Sequence, residues 1–162
     1  MLAESVLSFS QHELNRYCYP IDPLPVISGF EDVLNLWDSK REEFRLPSWK
    51  SFHEKDLAAF GGRVAVSEKE DKDFRFRVYG NDFVKLKNVD LTNKLLCESV
   101  GTKWKGGAYA YFSEISKGLC IGRTQGVVPD AYESLVELSS IDLPLSEDGI
   151  VVSHCLHVLS SV

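Results

Sequence analysis

No apolar run in these 162 residues approaches the ~18 consecutive positions that a membrane-spanning helix needs. The opening stretch, "MLAESVLSFSQHELN", has no basic start and no long apolar core, so it makes a poor secretory signal and a cytoplasmic location is expected. A basic excess is missing too: 18 Lys and Arg stand against 24 Asp and Glu, for a formal net charge of −6. Duplex binding relies on a basic face that displaces counterions from phosphates, so neither nucleic acid nor membrane is an expected partner. Local basic spots occur in "DSKREEFR" and "KWK", but acidic residues interleave the first. There is no C-x-x-C pair. Cys18, Cys97, Cys120 and Cys155 are scattered, whereas zinc sites announce themselves by close pairs, so no metal is expected and the thiols read as reduced, mostly buried small hydrophobes. Internal repeats and low-complexity tracts are absent.

Motifs for covalent catalysis are also lacking. Nothing resembles G-x-S-x-G, and Ser153 and His154, adjacent on a strand, point to opposite faces and cannot act as nucleophile and base. Gly101, Gly106 and Gly107 in "GTKWKGG" lack both the spacing and the preceding strand of a phosphate loop. That segment reads as a loop capping a site, with Trp104 either a lid or a packed surface residue.

What is present is ordinary globular material, 44% hydrophobic and 26% charged, enough for one domain with an arm. Residues 1–27 form the arm: "SQHELNRYCY" reads as a short helix, and "YPIDPLP" as an extended connector. From Ser28 the pattern is clearer. Ser28 and Glu31 have capping-box spacing, and Phe30, Val33, Leu34, Trp37, Arg41 and Phe44 recur at helical intervals, which predicts a helix closing at Leu46-Pro47. Ser51 and Glu54 repeat the capping spacing before a short helix that stops at Gly61-Gly62.

"RVAVSEKE" and "FRFRVYG" read as strands joined by "DKD", the second placing Phe74, Phe76 and Val78 on one face and Arg75, Arg77 and Tyr79 on the other. Arg75 and Arg77 are expected outside, paired with acidic residues across the strands. A short helix follows Gly80. "GGAYAYFSEISKG" predicts another, with Ala108, Tyr111, Phe112 and Ile115 on one face. Three strands are then expected over 119–128, 131–145 and 149–161, with "SEDG" turning between the last two.

Two strands, a helical crossover and three antiparallel strands follow the order of a PAS domain. The pieces "FEDVLNLWDSKREEFRLPSW", "FHEKDLAAFGGRVAV", "FRFRVYGNDFVKL" and "VDLTNKLL" resemble a bacterial PAS-like family common in alphaproteobacteria, in which a strand ending R-[FY]-R-[LV]-x-G leads to a G-x-D-L-T-G-K loop. Asp90, Leu91, Thr92 and Lys94 match that loop, while Asn88 and Asn93 stand where the family has glycine. Asparagine tolerates the left-handed backbone, so the same turns are expected. "LPSW" lacks the family's basic pair, and "TKWKGG" departs from the pattern. The likeness covers residues 28–162, taken as the PAS-like domain, and is strongest over 63–96.

The resemblance implies an α+β fold: a five-stranded antiparallel sheet with small helices on one face, preceded here by an N-terminal helical extension. It further implies a pocket lined by Phe76, Val78, Phe83, Leu86, Leu95, Tyr111 and Ile115, suited to a small apolar or amphipathic ligand. The same residues would also serve as a packed core with no cavity. No cofactor is identified. "GNDFVKLKNVDLTN" has no cysteine for flavin photochemistry.

In "SHCLH", Cys155 and His157 share a strand face while His154 points away, which is half a metal site. A haem would need only one axial histidine, but packing and sheet-edge hydrogen bonds are the favoured reading. An Arg123 reaching the pocket would suit a carboxylate ligand.

The expectation is therefore a stand-alone, non-enzymatic sensory domain, too short to carry its own effector and acting through a protein partner or a homodimer. The stripe of Phe30, Val33, Leu34, Trp37 and Phe44 offers the dimer contact. Two alternatives stand beside it. One is a ligand-free interaction adaptor. The other is a small cone-fold isomerase or dehydratase, similar to nuclear transport factors, which would need an Asp, or His154 or His157, turned into a hydrophobic pit.

Overall fold

The computed structural model describes residues 6–9, 14–43, 45–100 and 107–160, and at 99 and 100 the backbone alone. Its strands are β1 (Leu7–Ser8), β2 (Leu14–Pro20), β3 (Val64–Glu70), β4 (Asp73–Tyr79), β5 (Cys120–Pro129), β6 (Leu135–Ser146) and β7 (Val152–Leu159). The helices are α1 (Glu31–Ser39), α2 (Glu54–Leu57), α3 (Asn81–Lys87), α4 (Leu96–Val100) and α5 (Gly107–Ser116), with 3-10 turns at Trp49–Ser51 and Ala58–Arg63. All seven strands form one antiparallel sheet in the order β1-β2-β5-β6-β7-β3-β4. Among the described residues no helix is long and apolar enough to cross a membrane.

The five strands expected after residue 28 are present as one contiguous block. The count of five is nonetheless corrected to seven, because the N-terminal arm joins the sheet. It is not helical where described: Leu14, Arg16 and Cys18 are buried and alternate with more exposed neighbours, the period of a strand, and β2 pairs with β5 from Leu14↔Gly126 to Pro20↔Cys120.

Consecutive residues of β5 separate the two covered faces. Arg123 lies against the Phe30 ring at 4.9 Å, on the side of α1, whereas Gly122 faces Tyr111 of α5. Helix α1 and its N-cap residue Phe30 cover the first of these faces with Phe30, Val33, Leu34 and Trp37, and Trp37 Nε1 donates to the Pro144 carbonyl at 3.0 Å. These residues therefore belong to the intramolecular core, and the expected dimer stripe is corrected; Phe44 lies outside the described residues.

The caps also moved. Glu31 reaches back to the amide of Gly29 (3.0 Å) rather than pairing with Ser28, and the second box forms at His53 and Asp56, two residues past Ser51. Helix α1 stops at Ser39, well before Leu46. There Arg41 stacks on Trp37 (5.2 Å) while donating to Asp38, Asp22 and the Arg45 carbonyl, which ties the chain into a loop.

In β4 a bulge disturbs the expected alternation. Val66 opposes Val78 but Ser67 opposes Phe76, so Arg77 is the extra residue. Phe74 and Phe76 stay inward, Tyr79 turns inward, and Val78 turns out to 43% exposure. Arg75 and Arg77 pair with Glu70 (2.7 Å) and Glu68 (3.6 Å) on the outside, as alternation implied. Asn88 and Asn93 take the left-handed backbone, at φ +55° and +66°.

Replacing Trp37 with alanine is expected to cost about 3–5 kcal/mol in urea unfolding, as for large buried aromatics; an unchanged midpoint would mean that α1 does not cover this face. In the β6–β7 turn, Asp148 Oδ1 accepts from the amides of Ile150 and Val151 and from the Ser146 hydroxyl, which holds its pKa at about 2, below the ordinary 3.8. A depressed carboxylate stabilises the fold above its unfolded value and loses that effect as pH falls through its folded one. The stability gap between wild type and Asp148→Ala should thus be constant above about pH 4 and close towards pH 2, as thermal melts at stepped pH would show.

Candidate functional site

On the α5 side of the sheet, the pairing register places polar side chains in two neighbouring rows. One runs Arg16–Thr124–Ser140 across β2, β5 and β6. The next runs Cys18–Gly122–Asp142–His157–Ala65 across β2, β5, β6, β7 and β3. Paired residues share a face, so these rows are brought together by register alone.

Asp142 is the hub. Its Oδ2 accepts from the Tyr111 hydroxyl at 2.5 Å and its Oδ1 from His157 Nδ1 at 2.5 Å. Because a carboxylate only accepts, Nδ1 carries the proton, and Nε2 is left to accept from the Ser67 hydroxyl at 2.8 Å. Asp142, His157, Ser67 and Tyr111 are all buried. Gly122 makes this possible: any Cβ there would collide with the Tyr111 hydroxyl. Burial first, then Asp142, drives the Tyr111 phenol well above its ordinary pKa.

Ser67, His157 and Asp142 are linked in the order of a hydrolytic triad. Ser67 is fully buried and does not line the cavity described below. Cys155 completes a group with Asp142 and His157 whose ligating atoms lie within 4.8 Å of one another, and these are the residues that would hold a metal. The sequence placed Cys155 and His157 on one face, and the third member, Asp142, comes from the neighbouring strand. The fit to a metal is poor. Burial pushes the Cys155 thiol up, against thiolate formation, and the histidine nitrogen facing the group already donates to Asp142. His154 turns to the other face, 3.5 Å from Glu68.

Over the rows lies a cavity of about 100 Å³. Phe76, Tyr79, Phe83, Leu86, Leu96, Phe112, Val128 and Leu138 wall it, and Arg16, Lys87, Thr124, Ser140, Asp142 and His157 supply its polar edge. Of the seven expected pocket residues, Phe76, Phe83 and Leu86 line it. Tyr111 and Ile115 are fully buried beside it, with the Tyr111 hydroxyl committed to Asp142. Val78 is corrected to the outside by the bulge. Leu95 gives way to Leu96, since residue 95 is held in a bridge to Arg75. Trp104 lies outside the described residues. Arg123 does not reach the cavity; it donates to the carbonyls of Thr124 and Ser140 under Phe30. Leu86 also borders an open groove of about 640 Å³ whose charges are mixed: Arg63, Lys85, Asp82 and Glu137.

The arginine in the cavity is Arg16. It is 6% exposed, and its guanidinium sits 5.9 Å from the Tyr111 ring. Burial pulls its pKa down, opposed by Tyr111 and Asp142. The sequence pattern hides it because "LNRYC" reads as helical; the alternation of Leu14, Arg16 and Cys18 is the signal of the strand. Asp142 was missed because Ser140, Asp142 and Pro144 opposite Ile141, Leu143 and Leu145 look like a solvent face.

No family model matches the chain, and no curated protein matches it. Among solved structures it is similar to an RNA-binding light-oxygen-voltage receptor at 14% identity and a TM-score of 0.49, over 89% of this chain and 37% of that one. The chain thus spans little more than a third of the receptor's length, and a superposition this loose assigns neither family nor activity.

Asp142→Asn keeps the size but offers one acceptor oxygen to two donors. It should cost about 1–3 kcal/mol in chemical denaturation, the penalty for a buried donor left unpaired. A change within about 0.5 kcal/mol, the range of neutral surface substitutions, would mean that the network does not hold the core.

Proposed function

We propose that this chain is a PAS-like sensory domain that binds a small amphipathic molecule in the cavity above Asp142 and His157. The observation that carries the reading is the cavity itself. It is walled by Phe76, Phe83 and Leu86, three of the residues named for a pocket from the sequence, and a few polar groups converge on its floor. The block β5-β6-β7-β3-β4, with small helices over one face, supports the same reading.

The proposed role is non-enzymatic. Both oxygens of Asp142 and both ring nitrogens of His157 are engaged within the protein, which leaves neither poised for proton transfer to a ligand. This also counts against the cone-fold isomerase, although His157 and Asp142 do face a hydrophobic pit. The proposed location is cytoplasmic, and the net charge of −6 argues against nucleic acid as a partner.

Output is proposed to pass to a protein partner or a second copy of the chain by a route other than the Phe30–Trp37 stripe, which the sheet covers. Strand β2 is the better transmitter. It reaches the cavity through Arg16 and also carries the β1 edge of the sheet. A ligand shifts that edge only as far as it binds two arrangements differently.

The test is an NMR screen of neutral, anionic and cationic compounds of up to about eight non-hydrogen atoms, a size set by the cavity volume. Binding is expected to move amide resonances at Phe76, Thr124 and Leu138, and Leu138→Phe, which fills the cavity, should abolish it. If no compound moves those resonances, the ligand-free adaptor is the better description.

A further inference from the structure

Arg16 is 94% buried by its 6% exposure, and its side chain makes no hydrogen bond or ion pair with any described residue. Its guanidinium lies 5.9 Å from the Tyr111 ring, and Tyr111 and Asp142 favour its charge through space without a direct contact. Among the described residues no sealed side-chain nitrogen or oxygen lacks a partner, so the guanidinium nitrogens are not sealed, and Arg16 is one of the residues that line the cavity. A buried cation without a counterion is costly, and evolution or chance rarely leaves one in place. Asp142 attracts Arg16 through space but makes no direct pair with it. It lies beyond ion-pair distance, and its two oxygens are taken by Tyr111 and His157.

We propose that the cavity binds a short-chain monocarboxylate, its oxygens held by the Arg16 guanidinium and its alkyl tail lying against Phe76, Phe83 and Phe112. This rests on the sensory-pocket reading and names the ligand class for it. A planar guanidinium presents parallel N–H donors that match a carboxylate, and charge-assisted pairs of this kind are the strong ones. The hydroxyl-bearing Thr124 and Ser140 lie in register beside Arg16, at the polar end of the cavity. Volume and charge narrow the class. About 100 Å³ is less than a cavity that takes benzene, which limits the tail to a few carbons. Asp142 on the same wall repels a second negative charge, so a dicarboxylate or a phosphate dianion fits less well than a monoanion.

The experiment uses the full chain, isotope-labelled, titrated with sodium butyrate, with butyramide and with butanol. Resonances at Thr124, Leu138 and Ser140 report binding. Butyrate is expected to saturate them at least roughly tenfold more tightly than butyramide, the advantage of a bidentate charged contact. Arg16→Met is expected to abolish the butyrate response and with it the preference for acid over amide, while butanol still binds. If that variant does not fold, the butyrate and butyramide affinities of the wild type decide alone. Equal affinities for acid and amide would overturn the carboxylate and leave the pocket standing. Silence from all three probes at these positions, together with a silent compound screen, would overturn both.

Discussion

A carboxylate buried in the middle of a sheet constrains everything near it. Taking Asp142 out of water is unfavourable unless donors replace its hydration, and the donors here come from two different elements. His157 is directly opposite on β7, and Tyr111 descends from α5. A slip of one residue between β6 and β7 would turn His157 to the α1 face and leave Asp142 with a single donor. The same carboxylate positions α5, because the phenol reaches it only above Gly122, the one residue in that row of β5 that leaves room for the ring. One polar requirement thus specifies strand register and helix placement together, which generic apolar packing does with less precision.

That network also decides what the cavity offers a ligand. The groups that look reactive, a Ser, a His and an Asp in sequence, satisfy one another and stabilise the fold. Among the described residues, what remains without a direct polar contact is the Arg16 guanidinium, with an aromatic wall beside it. In the proposed reading, what such a site offers a ligand is recognition, by charge and by shape.

How much of this could be read from the sequence follows from where each signal is local. The short helix after Gly80, the left-handed Asn88 and Asn93, the apolar face of α5 and the outward Arg75 and Arg77 are all set by nearest neighbours, and the sequence reading of them agrees with the structure. So does the separation of His154 from His157 by strand alternation. The errors lie where tertiary context overrides a local pattern. Phe30 to Trp37 form a correct apolar stripe, but periodicity cannot say whether the surface it meets belongs to the same chain. Val78 obeys the alternation until a one-residue bulge reverses it. Asp142 and Arg16 are polar residues in strands, and nothing local distinguishes a solvated face from one that a helix will cover.

The N-terminal arm is the largest of these differences, and it changes what the domain is. Without β2, strand β5 would be an edge, with a row of unpaired amides and carbonyls open to other chains. Pairing from Leu14 to Pro20 removes that edge and hands the exposed position to β1, which is only two residues long. The same pairing carries Arg16 into the cavity opposite Thr124 and Cys18 beside Gly122. A core of five strands would therefore have the aromatic wall, Lys87 and the Asp142 network but not the Arg16 guanidinium. The arm completes the site, so a ligand held by Arg16 necessarily acts on the strand that links the cavity to the outer edge of the sheet.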